Sequence, residues 1–388
     1  MNDRLNRLKK LMAEQDLAAL ICRLPENVVF LTDYWPHHGF SIAVISQDGE
    51  PLVFVPEIEE EYARRGWAEV SLFGWGLLKD GDLYANFRQF LNKSKATLGL
   101  KGLKVGIEMS FEVTAPSYRS AEPVVPAAPW NNLLADIFSD STLVDATDLL
   151  QIARAIKFEY ELSRLRLANE ISEMGINYAI SHLEPGITEA QVGALVEYKV
   201  RADGPGYKGA RLTRCLAEVA AGPIGSTKGT LLIPSTNYTI AEGDFVMLEV
   251  ATVVDGYWSD LTYMAVAGRP SDRQREVYNH LLEAQQAAAR QMRPGASYSD
   301  PDTAARQVLE RAGLGEFIVH ITGHGVGFRY HEFIPFLMPG ADGKLELGMV
   351  SSVEPGVYIP DFGGLRIEDN VAVGEDGPIF LSTPRKPW

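Results

Sequence analysis

Only two cysteines, Cys22 and Cys215, occur in 388 residues, and they stand far apart. Neither a disulfide framework nor a thiolate zinc site can be built from them; both read as small buried hydrophobes. Long apolar runs are missing too. No stretch approaches the roughly 18 uninterrupted apolar residues of a membrane-crossing helix, and Met1-Asn2-Asp3-Arg4-Leu5 is charged where a secretory leader would be apolar. The expected compartment is the cytoplasm, with no membrane partner. Positive charge is in short supply: 36 Lys and Arg against 51 Asp and Glu leave a formal charge of -15. Such a chain repels a phosphate backbone, which argues against nucleic acid as a partner. Hydrophobic residues, by contrast, make up 46% of the chain, more than one core usually accommodates, so two domains of a soluble enzyme are expected.

Apolar residues Leu5, Leu8, Leu11 and Met12 recur at helical spacing, and Leu17-Ala18-Ala19-Leu20-Ile21 reads as a buried strand. Residues 40–45, a Gln47-Asp48-Gly49 turn and residues 51–55 form a candidate hairpin, and residues 103–107 a further strand. These elements predict a mixed α/β domain over residues 1–146. From Leu149 to Ala179 the apolar spacing predicts one or two long helices, and the second domain is expected over residues 147–388. That second part carries a weak internal echo. Leu183-Glu184-Pro185-Gly186-Ile187-Thr188 precedes a helix from Glu189, and Met292-Arg293-Pro294-Gly295-Ala296-Ser297 precedes one from Asp302. Either a duplicated half-domain or a recurring turn accounts for this.

The acidic residues of the second part fall on strands. Phe245–Val254 is β-prone, Asp255-Gly256 is a favoured two-residue turn, and Tyr257–Tyr263 returns. That turn sets Val254 against Tyr257 and Ala251 against Asp260, leaving Glu249 and Asp260 diagonal on one face, about 7 Å apart at the backbone. A second hairpin, centred on Asp361, sets Glu354 opposite Glu368. Acidic strand residues are more often solvated, but these pairs lie in apolar sequence. Two like charges roughly 4 Å apart cost about 4 kcal/mol at an effective dielectric of about 20, which a divalent cation or a proton would relieve. His324, between Gly323 and Gly325 in an apolar run, adds an imidazole where backbone can approach closely. Four carboxylates and one imidazole suit Mn²⁺, Co²⁺, Fe²⁺ or Zn²⁺.

Glu249, Ser259-Asp260-Leu261-Thr262, Gly323-His324-Gly325-Val326-Gly327, Val353-Glu354-Pro355-Gly356-Val357-Tyr358 and Leu365-Arg366-Ile367-Glu368-Asp369 resemble, in order, the ligand blocks of the pita-bread family of prolidase, aminopeptidase P and methionine aminopeptidase. The likeness covers roughly residues 150–388. Residues 4–145 look like the creatinase/prolidase N-terminal domain, with Leu24-Pro25-Glu26-Asn27-Val28 among its features. The resemblance implies a C-terminal pita-bread fold behind a smaller N-terminal α/β domain, and two divalent metal ions. Asp260 and Glu368 would bridge them, His324 and Glu354 would complete the first, and Glu249 would chelate the second. It also implies Glu354 as general base, His331 as a substrate contact or proton shuttle, and Arg366 as an orienting residue. Family members of this type are usually homodimers, and the Tyr34-Trp35-Pro36-His37-His38-Gly39 loop, through Trp35 and His38, would help close a partner's cleft over a small peptide or small-molecule substrate.

Three positions depart from the family pattern. Glu249 stands where Asp is usual, Leu231 or Leu232 where an upstream histidine is usual, and Tyr263 where Arg commonly follows Ser-Asp-x-Thr. The resemblance implies a metal-dependent hydrolase of Xaa-Pro peptides. A solute-directed alternative, like creatinase, ectoine hydrolase or dimethylsulfoniopropionate lyase, shares the fold, as does a non-catalytic binding module.

Overall fold

The protein is described by a computed structural model covering residues 2–37, 40–74, 82–110, 128–228 and 235–388. His38, Leu231 and Leu232 lie outside these residues, and with them the closing-loop histidine and the upstream-histidine position.

The first compact unit, Met1–Arg154, is built on a six-stranded sheet of order β4-β3-β2-β1-β5-β6. Its strands are β1 (Ala19–Cys22), β2 (Ile42–Ser46), β3 (Leu52–Pro56), β4 (Glu69–Phe73), β5 (Lys104–Ile107) and β6 (Thr142–Asp145). The expected hairpin forms, with Ile42 opposite Phe54 and Val44 opposite Leu52. The opening helix runs Asn2–Glu14, and Asp16, at φ 58°, turns the chain into β1. The expected boundary at residues 146/147 is displaced, for the units divide after Arg154. The helix Thr147–Ala155 buries Leu149, Leu150 and Ala153, and Arg154 donates to Asn27, which ties that helix to the first unit.

The second unit, Ala155–Trp388, holds the antiparallel sheet β7-β8-β9, from β7 (Thr213–Ala221), β8 (Phe245–Val254) and β9 (Tyr257–Val266). A five-stranded sheet, β11-β10-β12-β15-β16, comes from β10 (Gly323–Gly325), β11 (Glu332–Leu337), β12 (Val350–Val353), β15 (Asp369–Val373) and β16 (Pro378–Phe380). A two-stranded ribbon joins β13 (Gly356–Ile359) to β14 (Gly363–Arg366). The internal echo is structural. After each Pro-Gly turn the chain makes a single antiparallel bridge, Thr188 to Thr239 and Ser297 to Lys344. Gly186 and Gly295, at φ 101° and 83°, donate to Ile240 and Leu345, each at 2.8 Å. A helix follows each turn, Glu189–Asp203 and Ser299–Arg311, the second starting three residues before the expected Asp302. The two larger apolar clusters of this unit follow the plan. One packs Val192 and Val196 against Val219, Leu248 and Leu261; the other packs Leu281 and Leu309 against Met349, Val353 and Val371.

Both hairpins take the registers that their turns predict. Asp255 and Gly256, at φ 52° and 90°, form the two-residue turn, with Val254 opposite Tyr257 and Ala251 opposite Asp260. In the second hairpin Gly356 opposes Arg366 and Val353 opposes Asp369, so the shared register sets Glu354 across from Glu368. The ladder breaks between these pairs because Pro355 has no amide hydrogen to give. Glu354 N donates instead to Thr322 O at 2.8 Å, and Glu368 N to Thr262 O at 3.1 Å. The carboxylate pair therefore lies at the junction where one hairpin hands its backbone bonds to both neighbouring strands.

Candidate metal centre

His324 enters this junction because glycine flanks it. A Cβ on Gly323 would stand 2.0 Å from Ser352 O, and one on Gly325 2.4 Å from Ile334 O, so only glycine lets β10 lie this close to its neighbours. His324 Nδ1 is 3.0 Å from Gly325 O. A carbonyl only accepts, so Nδ1 carries a proton, and Nε2 stands 3.2 Å from Glu354 Oε1 and 3.5 Å from Asp260 Oδ2, where it donates to the carboxylates when protonated and offers its lone pair to a cation when not. Ligand atoms of His324, Glu354 and Glu368 lie within 4.8 Å of one another, as do those of Asp260, His324 and His331. The two sets share His324. Glu368 accepts from Thr262 Oγ1 through Oε2 at 2.7 Å, while its buried Oε1 has no hydrogen-bond partner among the described residues. An orphaned carboxylate oxygen beside an imidazole nitrogen and two more carboxylates is a donor set that fits a divalent cation.

The electrostatics agree. Burial, with the charges of Asp260 and Glu354, pushes the Glu368 carboxyl well above its ordinary range. Burial would raise Glu354 as well, but the hydrogen bond and charge of His324, with Arg366 and His320, hold it far below. For His324, burial opposes the charged form while Glu354 and Asp260 raise the imidazole above its usual value. Without a cation, the cluster retains a proton in its place.

The structure sets Glu249 apart from these two groups of ligand atoms. It faces Thr262 across β9 and Glu218 across β7. Its Oε2 pairs with the Arg366 guanidinium and its Oε1 accepts from Tyr330 at 2.9 Å. Arg366 is buried, donates to Thr262 Oγ1 and Tyr358 OH at 3.1 Å each, and stands 3.9 Å from Glu354 Oε2. Its guanidinium therefore meets two of the site's own carboxylates, Glu249 and Glu354. His331 Nε2 is 3.6 Å from Asp260 Oδ2, with its ring 3.8 Å from that of His324 and stacked on Tyr330. Trp35 is half-buried within the first unit, beside Tyr34 and His37, both of which donate to Glu59.

Two participants were not singled out by the sequence. His320, four residues before His324, places Nδ1 2.7 Å from Ile321 O and Nε2 2.9 Å from Tyr358 OH. Burial pushes its imidazole down, against the pull of Glu354. Thr262 ties Glu368 to Arg366. The His-x-x-x-His spacing was the one available signal for the first; Thr262 shows only once β9 meets Glu368.

Known proteins agree with this architecture. The model of metallopeptidase family M24 matches residues 163–375, and that of the creatinase/prolidase N-terminal domain matches residues 4–156. The chain is 29% identical to the Xaa-Pro dipeptidase of Pyrococcus furiosus over 98% of both chains, and 29% identical to a putative dipeptidase, YkvY, of Bacillus subtilis over 98% of this chain and 97% of that one. Among solved structures, the prolidase of Pyrococcus horikoshii OT3 superposes with a TM-score of 0.77 at 26% identity, covering 99% of each chain. The X-Pro aminopeptidase of Thermotoga maritima MSB8 gives 0.80 at 26% identity, over 98% of this chain and 99% of that one. The chain belongs to metallopeptidase family M24, and is an enzyme of the two-domain pita-bread type with a creatinase/prolidase N-terminal domain.

Proposed function

We propose that this enzyme hydrolyses Xaa-Pro dipeptides, using a divalent cation held by Asp260, His324, Glu354 and Glu368. The observation that carries the reading is that ligand atoms of His324, Glu354 and Glu368 lie within 4.8 Å of one another, with Asp260 Oδ2 3.5 Å from His324 Nε2, and that the buried Oε1 of Glu368 has no hydrogen-bond partner among the described residues. The relatives named above as dipeptidases and prolidases support the substrate class. When bound, the cation supplies Lewis acidity toward the scissile carbonyl and acidifies water.

The chain's own groups do the rest. Glu354, held ionised by its neighbours, accepts a proton from the attacking water as the new C–O bond forms. His331 Nε2, 3.6 Å from Asp260 Oδ2, supports the developing oxyanion, and the proton that Glu354 took from water passes to the proline nitrogen as the C–N bond breaks, which returns Glu354 to its ionised form. Arg366 keeps Glu354 and Glu249 in place. A second ion would have to draw Glu249 away from Arg366 and Tyr330, so it is held more weakly than the first. The donor set suits manganese, cobalt, iron or zinc.

A cytoplasmic homodimer belongs to the same proposal. Both cysteines are free, as in a reducing compartment, and no helix among the described residues is long and apolar enough to cross a membrane. The test is release of free proline from an Xaa-Pro dipeptide panel by metal-loaded protein, alongside elemental analysis. Proline released in proportion to bound metal supports the proposal; metal binding with creatine or another solute cleaved in place of peptides would overturn it.

A further inference from the structure

Behind the metal-ligand strands, on the side away from His324, the C-terminal tail builds a second polar cluster that the mechanism does not use. Asp369 follows Glu368 directly, so its side chain points to the opposite face of the strand. It is fully buried, and accepts from Gln285 Nε2 at 3.0 Å, Ser382 Oγ at 2.6 Å and Arg385 NH2 at 2.7 Å. The same guanidinium stands 3.7 Å from Glu173 Oε1 and 3.3 Å from the Tyr263 ring centroid, and Tyr263 OH donates to Glu173 at 2.6 Å. Arg385, in the irregular tail beyond β16, thus serves two buried carboxylates while its guanidinium lies over Tyr263, three residues along β9 from Asp260.

The tail is anchored at both ends. Leu381 N donates to Asn370 O at 2.9 Å, and Trp388 stacks on Tyr278 with ring centroids 4.0 Å apart. Asn370 in turn exchanges two hydrogen bonds with the backbone of Asp260, at 2.8 and 3.0 Å. Three consecutive residues therefore do three jobs: Glu368 faces the candidate cation site, Asp369 the tail, and Asn370 the backbone of Asp260.

We infer that Arg385 is a positioning residue for the metal site: by neutralising Asp369 and Glu173 it fixes the start of β15, and so the reach of Glu368 into the donor set. The inference rests on the metallopeptidase reading above. Without Arg385, two carboxylates stay buried with no cation between them. The strand relieves this by turning Asp369 toward water, which withdraws Glu368 from Asp260 and His324. The position also explains how the chain manages with Tyr263 rather than a cation on β9, because the tail brings the charge to the face of that ring.

The experiment uses the full chain, stripped of metal, and measures Mn²⁺ affinity by competition with a fluorescent chelator, together with kcat, KM and circular dichroism. Arg385→Gln is expected to keep its secondary structure, raise the Mn²⁺ Kd about tenfold and lower kcat at fixed sub-saturating Mn²⁺, with KM changed by less than about twofold. Arg385→Lys should recover most of that affinity, and so should Tyr263→Arg combined with Arg385→Ala, which returns a guanidinium to the cluster from β9. Unchanged Mn²⁺ affinity in a folded Arg385→Gln, equal loss in the Gln and Lys variants, or failure of all three variants to fold would overturn the inference, the last by making Arg385 a general stability residue. Wild-type protein that binds no Mn²⁺ and releases no proline would instead overturn the reading beneath it, and this inference with it.

Discussion

Glu249 offers the sharpest single perturbation. Its two oxygens are taken by Arg366 and Tyr330, both buried. Glu249→Ala leaves the guanidinium without its first partner, and breaking a buried pair from one side costs about 3–5 kcal/mol. Arg366 keeps Glu354 at 3.9 Å as a residual counter-charge, which places the expected loss toward the lower end, about 3 kcal/mol. For a unit of this size each kcal/mol lowers the midpoint by roughly 2–4 °C, so the metal-free variant should unfold about 6–12 °C below wild type. In the proposed assignment the first ion is held by Asp260, His324, Glu354 and Glu368 instead. Added Mn²⁺ at about one hundred times its Kd should raise the midpoint of both proteins alike, by about 2.7 kcal/mol of binding free energy. Differential scanning calorimetry with and without Mn²⁺, paired with metal titration, reads both quantities. A Glu249→Ala variant that unfolds at the wild-type temperature yet loses its tight metal would refute this reasoning, because Glu249 would then be a ligand of the first ion and not the partner of Arg366. Glu249→Asp is the complementary probe: a carboxylate shorter by about 1.5 Å cannot reach Arg366 and Tyr330 together, and is freed for a second ion. Its metal content should rise relative to wild type.

Replacing His324 or Glu354 by Ala should remove the tight metal and abolish turnover while circular dichroism stays native, since Val353, Val357 and Ile367 supply the packing of those strands. Turnover surviving in either variant after chelation would contradict the assignment. In the first unit, burial raises the Glu108 carboxyl to about 7 against the pull of Asn27 and the Arg23 amide. A carboxyl raised on folding binds more protons in the native state, so its contribution to stability is full at low pH and is lost as pH rises through about 7. Thermal unfolding of that unit should weaken by about 3 kcal/mol between about pH 4 and pH 8, and Glu108→Gln should flatten the profile. Trp35→Ala is expected to raise KM without loss of bound metal; unchanged kinetics would make its loop a bystander.

The order of the acidic blocks and the two turns were legible in the chain because they depend on local rules. Asp255-Gly256 fixes its register through two left-handed residues, and the loop around Asp361 does the same for Glu354 and Glu368. Spacing along a strand also put Glu249 and Asp260 on one face. It could not say where the Glu249 carboxylate ends, since that is decided by Arg366 and Tyr330, residues 117 and 81 positions away. Nor could it show the orphaned oxygen of Glu368, which exists only where Pro355 interrupts one ladder and Thr262 accepts the backbone of another strand. The boundary after Arg154 was out of reach for the same reason: a helix that starts at Thr147 belongs to the unit its buried face meets, not to the segment its position suggests. Residue type and short-range spacing determined which groups this protein could bring to a metal; long-range packing decided which of them arrive, because a carboxylate's role depends on the charge it meets once water has been excluded.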